Sequence, residues 1–351
     1  MEKQKDWKSL LKADPTEQLL QEVGNLDKYY FLREIMEKPE DDIEASKLRN
    51  TLVDEIIEKQ MEDGSWNGQP YDYANGTTHQ LMKLMELGLS PEDEPVKKGT
   101  DYLFLHQVED GSFSQGEIRC VCGTDIDPVA RKFPSVKSNP IITNTTLLAL
   151  ARTGHGDDPR VEKGYEWLCS WQEEDGSWSS PRARLCRDQG EGYPYTYCGI
   201  HSTCNALLGL SATEKTRNSE VARRGAEFIL NWYGYKRDLR VEPPYDDKSI
   251  PFDGAWFDPR CVTPANQPPP PDIVIEAAST YHVVSTLATL GYGLENEKMR
   301  AGVQRLMEWQ SPDGLWLVDH PFLDHYQFTL HVLLAIKSLY QPLQVFSLHG
   351  H

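Results

Sequence analysis

A seven-residue pattern, Gln-x-x-Asp-Gly-(Ser/Leu)-(Trp/Phe), occurs four times in the chain: Gln60/Asp63/Gly64/Trp66, Gln107/Asp110/Gly111/Phe113, Gln172/Asp175/Gly176/Trp178 and Gln310/Asp313/Gly314/Trp316. A reduced fifth copy is Asp253/Gly254/Trp256. Self-similarity at this level means that one supersecondary unit is stacked repeatedly, so the fold is read from the unit. Function is then sought where the copies differ.

Upstream of each motif the sequence predicts an amphipathic helix. In the first copy Ser46 is the expected N-cap, and Leu48, Leu52 and Ile56 recur at helical spacing up to Gln60. The Asp-Gly is expected to end that helix, since glycine tolerates the left-handed conformation found there. Downstream comes a loop of variable length and then a Thr-rich segment that is apolar nearly all round, the mark of a buried helix. These second segments align on Thr77, Thr143, Thr203, Thr280 and Thr329. The chain therefore reads as five helical hairpins, each with a polar-faced outer helix and a buried inner helix. The repeat aromatic is expected to wedge between hairpins and the Gln to bond the start of the next helix.

These repeats resemble the glutamine–tryptophan repeats of the superfamily that contains squalene–hopene cyclases, class II diterpene cyclases and protein prenyltransferase β subunits. The resemblance covers residues 46 to 341 and implies an all-α, α/α toroid of inner and outer helices. Residues 1–45 lack the motif; they are expected as a helical extension, around Thr16 to Met36, before a single toroid domain at 46–351. The stretch from Val241 to Asp272, ending in four consecutive prolines, reads as a long surface excursion.

The standard active sites of the superfamily are not in the sequence. Class II cyclases carry Asp-x-Asp-Asp just before one aligned Thr; the tetrads here are Tyr73-Ala-Asn-Gly76, Asn139-Pro-Ile-Ile142, Gly199-Ile-His-Ser202, Glu276-Ala-Ala-Ser279 and His325-Tyr-Gln-Phe328. Asp125-Ile-Asp127 lies in a loop well before Thr143 and reads as a solvated pair. The prenyltransferase zinc pattern also departs, because Cys261 follows Asp258 by three residues rather than two and Gln327 or Phe328 stands at the zinc histidine's position.

Histidines take their place. His79, His282 and His331 each lie two residues after the aligned Thr, at one level of the inner ring. If they converge, three imidazoles with open positions suit a transition metal such as zinc or iron; otherwise they line a polar-aromatic cavity with Tyr281, Tyr326 and Trp256. His201 and His325 lie about one turn nearer the helix amino ends, where an acid/base is expected, with Glu276, Tyr281 and Tyr326 beside them.

The loops that lead into the inner helices carry Arg119, Arg182, Arg184 and Arg260, with Arg131, Lys132 and Lys137. Converging guanidinium groups suit a diphosphate or carboxylate. Cys120, Cys122, Cys186 and Cys261 lie in the same loops and offer either unlinked thiols or a zinc or iron–sulfur site.

The chain carries 36 basic and 54 acidic residues, a net charge of −18, with no basic concentration outside those loops; nucleic acid is not an expected partner. No stretch approaches a membrane span, the amino end lacks the apolar core of a signal peptide, and seven cysteines without an export signal point to reduced thiols in the cytoplasm. The expectation is an enzyme of terpenoid-cyclase or prenyl-transfer type acting on an isoprenoid or other lipophilic molecule, diphosphates included. The alternatives are a His-ligated metalloenzyme, which includes an oxidative one, or a ligand-binding scaffold with a partner subunit or a second copy.

Overall fold

The computed structural model describes residues 7–39, 41–71, 75–114, 140–179, 199–237, 249–251, 256, 272–317 and 324–341, with only the backbone at 199, 201, 235–237, 249–251 and 272–279. After a 3-10 turn at Trp7–Leu10 come α1 (Thr16–Glu22) and α2 (Asn25–Tyr30), the latter continued by a π-helical turn at Phe31–Ile35. The first outer and inner helices are α3 (Ile43–Glu58) and α4 (Thr77–Glu86). The second pair is α5 (Glu94–Leu105) and α6 (Pro140–Leu150), and the third α7 (Pro159–Ser170) and α8 (Gly199–Leu210). A short α9 (Glu214–Arg217) precedes α10 (Glu220–Asn231) and α11 (Asp272–Thr289), and the last pair is α12 (Glu297–Trp309) and α13 (His325–Ser338).

All five expected hairpins are thus present, each aligned Thr lying in an inner helix. The excursion after α10 is not wholly irregular: β1 (Tyr235–Arg237) and β2 (Ser249–Pro251) pair antiparallel, Lys236 opposite Ile250. Two compact units divide the chain. One draws on Met1–Leu52 and Ile229–Val345, the other on Val53–Phe228. The amino-terminal residues share a unit with the last two hairpins.

A recurring set of hydrogen bonds builds the repeats. The aligned Thr hydroxyl accepts from the backbone N–H of the repeat aromatic: Trp66 to Thr77 at 3.1 Å, Phe113 to Thr143 at 3.0 Å, Trp178 to Thr203 at 3.1 Å, Trp256 to Thr280 at 3.2 Å and Trp316 to Thr329 at 2.9 Å. Each Trp indole N–H donates to a carbonyl of the preceding outer helix, as Trp66 does to Ile56 and Trp178 to Leu168. The Gln amide donates twice, to its own repeat's Gly carbonyl and to the first turn of the next outer helix. Gln60 reaches Pro95, Gln107 reaches Arg160 and Gln172 reaches Val221. Buried and helix-terminal polar groups of the repeat are satisfied in this way.

The aromatics do wedge between hairpins, and a glycine makes the room. A Cβ added to Gly225 of α10 would stand 2.7 Å from the Trp178 ring, and one on Gly99 of α5 3.0 Å from Trp66; Gly302 faces Trp256 in the same way.

Two local expectations are corrected. Asp42, not Ser46, caps α3: its Oδ1 accepts from the N–H groups of Glu44 and Ala45 at 3.1 Å each, and Ser46 already lies inside the helix. A carboxylate one residue ahead of the helix satisfies two terminal donors that Ser46 is too late to reach. The Asp-Gly does not end the outer helix either, since α3 stops at Glu58 and α7 at Ser170. It forms a separate turn in which Asp63, Asp110 and Asp175 accept from the Ser two residues on. Gly176 there has φ +93°, and a Cβ on it would meet the Arg224 carbonyl of α10 at 2.5 Å.

The amino-terminal segment completes the last repeat. Gln310 has no following repeat in sequence, and its amide donates to Ala13 at 2.9 Å while its oxygen accepts from the Lys12 N–H at 2.6 Å. Gln18 bonds the Asp313 carbonyl at 3.0 Å. Helix α1 thus stands where the next outer helix would, and α2 with its π turn stands as an inner helix: Tyr30, Phe31, Leu32 and Ile35 are buried. The buried Lys337 of α13 pairs with Glu37 at 2.9 Å and donates to the Glu34 carbonyl, which ties the end of this sixth hairpin down.

Gly176→Ala is expected to cost at least about 2 kcal/mol in urea unfolding, since it adds a backbone clash to a left-handed conformation. Gly68→Ala, at φ +63° with nothing within 4 Å, carries only the conformational cost of about 1 kcal/mol. Equal effects would contradict the close approach of the repeat turn to the next outer helix.

Candidate functional site

Within the unit that holds the sixth hairpin, α11 and α13 pack together along their inner faces. Tyr281 of α11 lies edge-on against Phe328 of α13, ring centroids 5.2 Å apart at 85°, and its ring stands 6.0 Å from His331. His282, the next residue of α11, and His331 are buried. One turn toward the amino end of α13, Gln327 donates through its amide to Asp27 Oδ2 of α2 at 2.9 Å. Asp27 is 6% exposed. The amino end of α13 is fixed by Asp324, which accepts from the N–H groups of Tyr326 and Gln327 at 2.8 Å each, and His325 and Tyr326 are half-buried there with rings 4.6 Å apart. The result is one inner-helix face that grades from a carboxyl–amide pair to an aromatic and imidazole cluster.

His79 belongs to the other unit. It is buried at the start of α4, with Nδ1 3.3 Å from the Thr78 hydroxyl and its ring 5.5 Å from that of Tyr71. Within neither unit do three His, Cys, Asp or Glu side chains among the described residues stand where they could hold a metal ion. The expected metal centre on His79, His282 and His331 is therefore not assembled within either; two of the three histidines share a unit and the third does not. The backbones of His201 and Glu276 lie in α8 and α11, and their side chains lie outside the described residues. So do Arg119, Arg182, Arg184 and Arg260, and Cys120, Cys122, Cys186 and Cys261. The two described cysteines, Cys169 and Cys204, are thiols, and burial pushes Cys169 up from its ordinary value.

Sequence reasoning missed Asp27 and its bond to Gln327, because residues 1–45 carry no repeat motif. A signal was present in the run Tyr29-Tyr-Phe-Leu32, apolar on every side like the other inner helices.

The comparisons with known proteins place this architecture. The profile of the family described as Squalene-hopene cyclase C-terminal domain matches residues 31–218, more than half of the chain. The chain belongs to that family. The squalene–hopene cyclase of Zymomonas mobilis is 27% identical over 176 residues, covering 49% of this chain and 25% of the relative. That of Alicyclobacillus acidocaldarius is 26% identical over 290 residues, 78% of this chain and 39% of the relative. The chain thus spans about a quarter to two fifths of the length of these relatives. Among solved structures, a protein from Actinoplanes aligns with TM-score 0.56 at 16% identity, over 95% of this chain and 99% of that one. A variant of the type II terpene cyclase MstE from Scytonema, in complex with geranylgeranyl dihydroxybenzoate as substrate, aligns with TM-score 0.52 at 10% identity, over 91% and 87%. These likenesses give the fold class, the α/α toroid of the terpenoid cyclases. No helix among the described residues is long and apolar enough to cross a membrane.

The repeats after residue 218 lie beyond the family match, yet Trp256 and Trp316 keep the same hydrogen bonds to Thr280 and Thr329. The Tyr281–Phe328 contact joins these two repeats. Edge-to-face pairs contribute about 0.5–1.5 kcal/mol beyond area burial. A double-mutant cycle with Tyr281→Ala and Phe328→Ala, read by urea unfolding, is expected to show a coupling in that range; additivity within about 0.3 kcal/mol would mean the rings do not meet.

In the other unit, His106 lies against Tyr102, rings 4.7 Å apart, and burial lowers its pKa below the ordinary 6.5 while Asp63 opposes the shift. A histidine lowered on folding binds its proton more readily when unfolded, so it withdraws stability as pH falls through 6.5 toward the folded value. Its ring proton signals are expected to titrate with a midpoint below 6.5 by NMR; a midpoint at or above that value would be the contrary result.

Proposed function

We propose that this protein encloses a polyprenyl-type lipophilic molecule between its inner helices and cyclises it through carbocation chemistry, as a divergent terpenoid cyclase. The observation that carries this reading is the buried Tyr281, Phe328 and His331 cluster on adjacent inner helices of a chain that belongs to the squalene–hopene cyclase family. Aromatic faces attract a developing cation through their quadrupole and offer no lone pair to trap it. An imidazole at the same level suits the removal of the proton that ends such a reaction.

Family membership favours cyclisation over prenyl transfer. Arg119, Arg182, Arg184 and Arg260, in the loops that precede inner helices, are assigned in this reading to an anionic head group at the mouth. His201, His325, Glu276 and Tyr326 lie at the amino ends of inner helices and are assigned acid/base roles in this reading.

The purified protein is to be titrated with squalene and with geranylgeranyl diphosphate, following tryptophan fluorescence, and the mixtures analysed by gas chromatography and mass spectrometry for cyclic isomers. Binding in the micromolar range is expected, with a cyclic product from at least one of the two. Replacing Arg182, Arg184 and Arg260 with Ala should weaken the diphosphate at least about tenfold, an outcome suited to several charge-assisted hydrogen bonds, and leave squalene binding unchanged. Binding without product would reduce the reading to a lipid-binding protein, which the absence of Asp-x-Asp-Asp favours as the second reading; no binding of either would end it.

A further inference from the structure

Three inner helices end beside a left-handed residue, and in each it is glycine: Gly88 follows α4 at φ +87°, Gly154 lies in the turn after α6 at φ +87°, and Gly291 follows α11 at φ +88°. After α2 and its π turn the same place is taken by Glu37, at φ +52°. A side chain in that conformation costs what glycine does not. The Glu37 carboxylate meanwhile pairs with the buried Lys337 Nζ of α13 at 2.9 Å and accepts from the Gln341 amide at 3.2 Å. The chain therefore keeps a strained residue on the connection between the sixth hairpin and α3.

Non-covalent bonds fasten that hairpin to the last repeat. Lys12 and Ala13 meet Gln310, Gln18 meets Asp313, and Asp27 meets Gln327. Leu19, Tyr30, Phe31 and Ile35 are buried, with α1 and the π turn both packing on α13. None of these contacts requires the two partners to belong to one chain. From this arrangement we propose that residues 7–36 are exchanged between two copies of this chain, each hairpin seating on the last repeat of the other copy, with Glu37 as the hinge. Asp27 of the partner subunit then bonds Gln327, beside the face that carries Tyr281, Phe328 and His331. The exchange is reciprocal, so it closes as a two-fold dimer and forms no open filament. It does not rest on the cyclase reading.

Strain decides whether exchange competes with closure in one chain. The swapped dimer repeats the contacts of the monomer and differs at the hinge, where Glu37 leaves the left-handed region as the connection straightens. Pro39, two residues on, favours an extended residue before it. Each released hinge favours the dimer roughly five- to thirtyfold, the population equivalent of left-handed strain, and there are two hinges. Set against an effective concentration of about 1 mM for a short tether, this gives a dissociation constant of roughly 1–40 µM. The Lys28–Glu44 pair, 2.8 Å across the connection, is exposed and holds the closed form little. A charge of −18 on each chain opposes association, so added salt favours the dimer.

The test uses the full chain. Light scattering on a sizing column, from about 0.1 to about 500 µM, is expected to show monomer giving way to twice the chain mass, more readily in about 0.5 M NaCl. Glu37→Gly removes the strain of the closed form and should weaken the dimer at least about tenfold. Glu37→Pro cannot adopt a positive φ and should tighten it at least about tenfold. Nitrogen-14 and nitrogen-15 chains, mixed while monomeric and then concentrated, are coupled with a carbodiimide; the dimer should yield Glu37–Lys337 cross-linked peptides of hybrid isotope mass. A monomer at every concentration overturns the proposal. So does a dimer that Glu37→Gly leaves within about twofold of wild type, or one whose Glu37–Lys337 peptides are all of one isotope, since its interface then lies elsewhere. If Glu37→Pro does not fold, or no cross-link forms, the shift in Glu37→Gly decides alone.

Discussion

The structure depends on one buried threonine hydroxyl in each repeat. The backbone N–H of the repeat aromatic points into the protein, where an unmet donor costs about 1–3 kcal/mol. In all five repeats an inner-helix Thr accepts it, between 2.9 and 3.2 Å. That bond fixes where the inner helix begins relative to the turn. It therefore fixes the register of the side chain two residues later in its own inner helix, the position taken by His79, His282 and His331.

The glutamine sets the next relation, from one hairpin to its neighbour. Its two amide protons satisfy one carbonyl in its own turn and one in the following outer helix, so a single side chain sets the spacing between units. A glutamate could not do this, having no proton to donate when ionised. The glycine of the turn lets the two backbones approach, and a second glycine in the following outer helix receives the aromatic ring. Gly99, Gly164 and Gly302 each precede their Gln by eight residues, a regularity as legible as the motif itself.

Much of the fold could be read directly because these requirements are local and recur. Pairing of Gln60 with the next helix, wedging by Trp178 and burial of the segment after Thr143 follow from residue chemistry and spacing. The cap of α3 was misplaced by four residues because Asp42 and Ser46 are both good caps and only packing chooses between them. The site was less legible, since α11 and α13 meet through Tyr281 and Phe328, nearly fifty residues apart, and Asp27 reaches Gln327 across 300. No periodicity encodes that last contact. It exists because Gln310 and the segment around Ala13 repeat, between the two ends of the chain, a bond that elsewhere joins consecutive hairpins.

That same bond orders events during synthesis. Lys12 and Gln310 are 298 residues apart, an interval of roughly 15–60 s at about 5–20 residues per second. The residues from Val53 to Phe228 have every repeat partner at hand long before then and can assemble as they emerge. The hairpin of α1 and α2 must wait, with Tyr29, Tyr30, Phe31 and Leu32 lacking the helix that will cover them. Its exposure to chaperones and proteases is set by the arrival of α13, so a stalled ribosome anywhere in the last repeat leaves α1 and α2 of the newborn chain vulnerable.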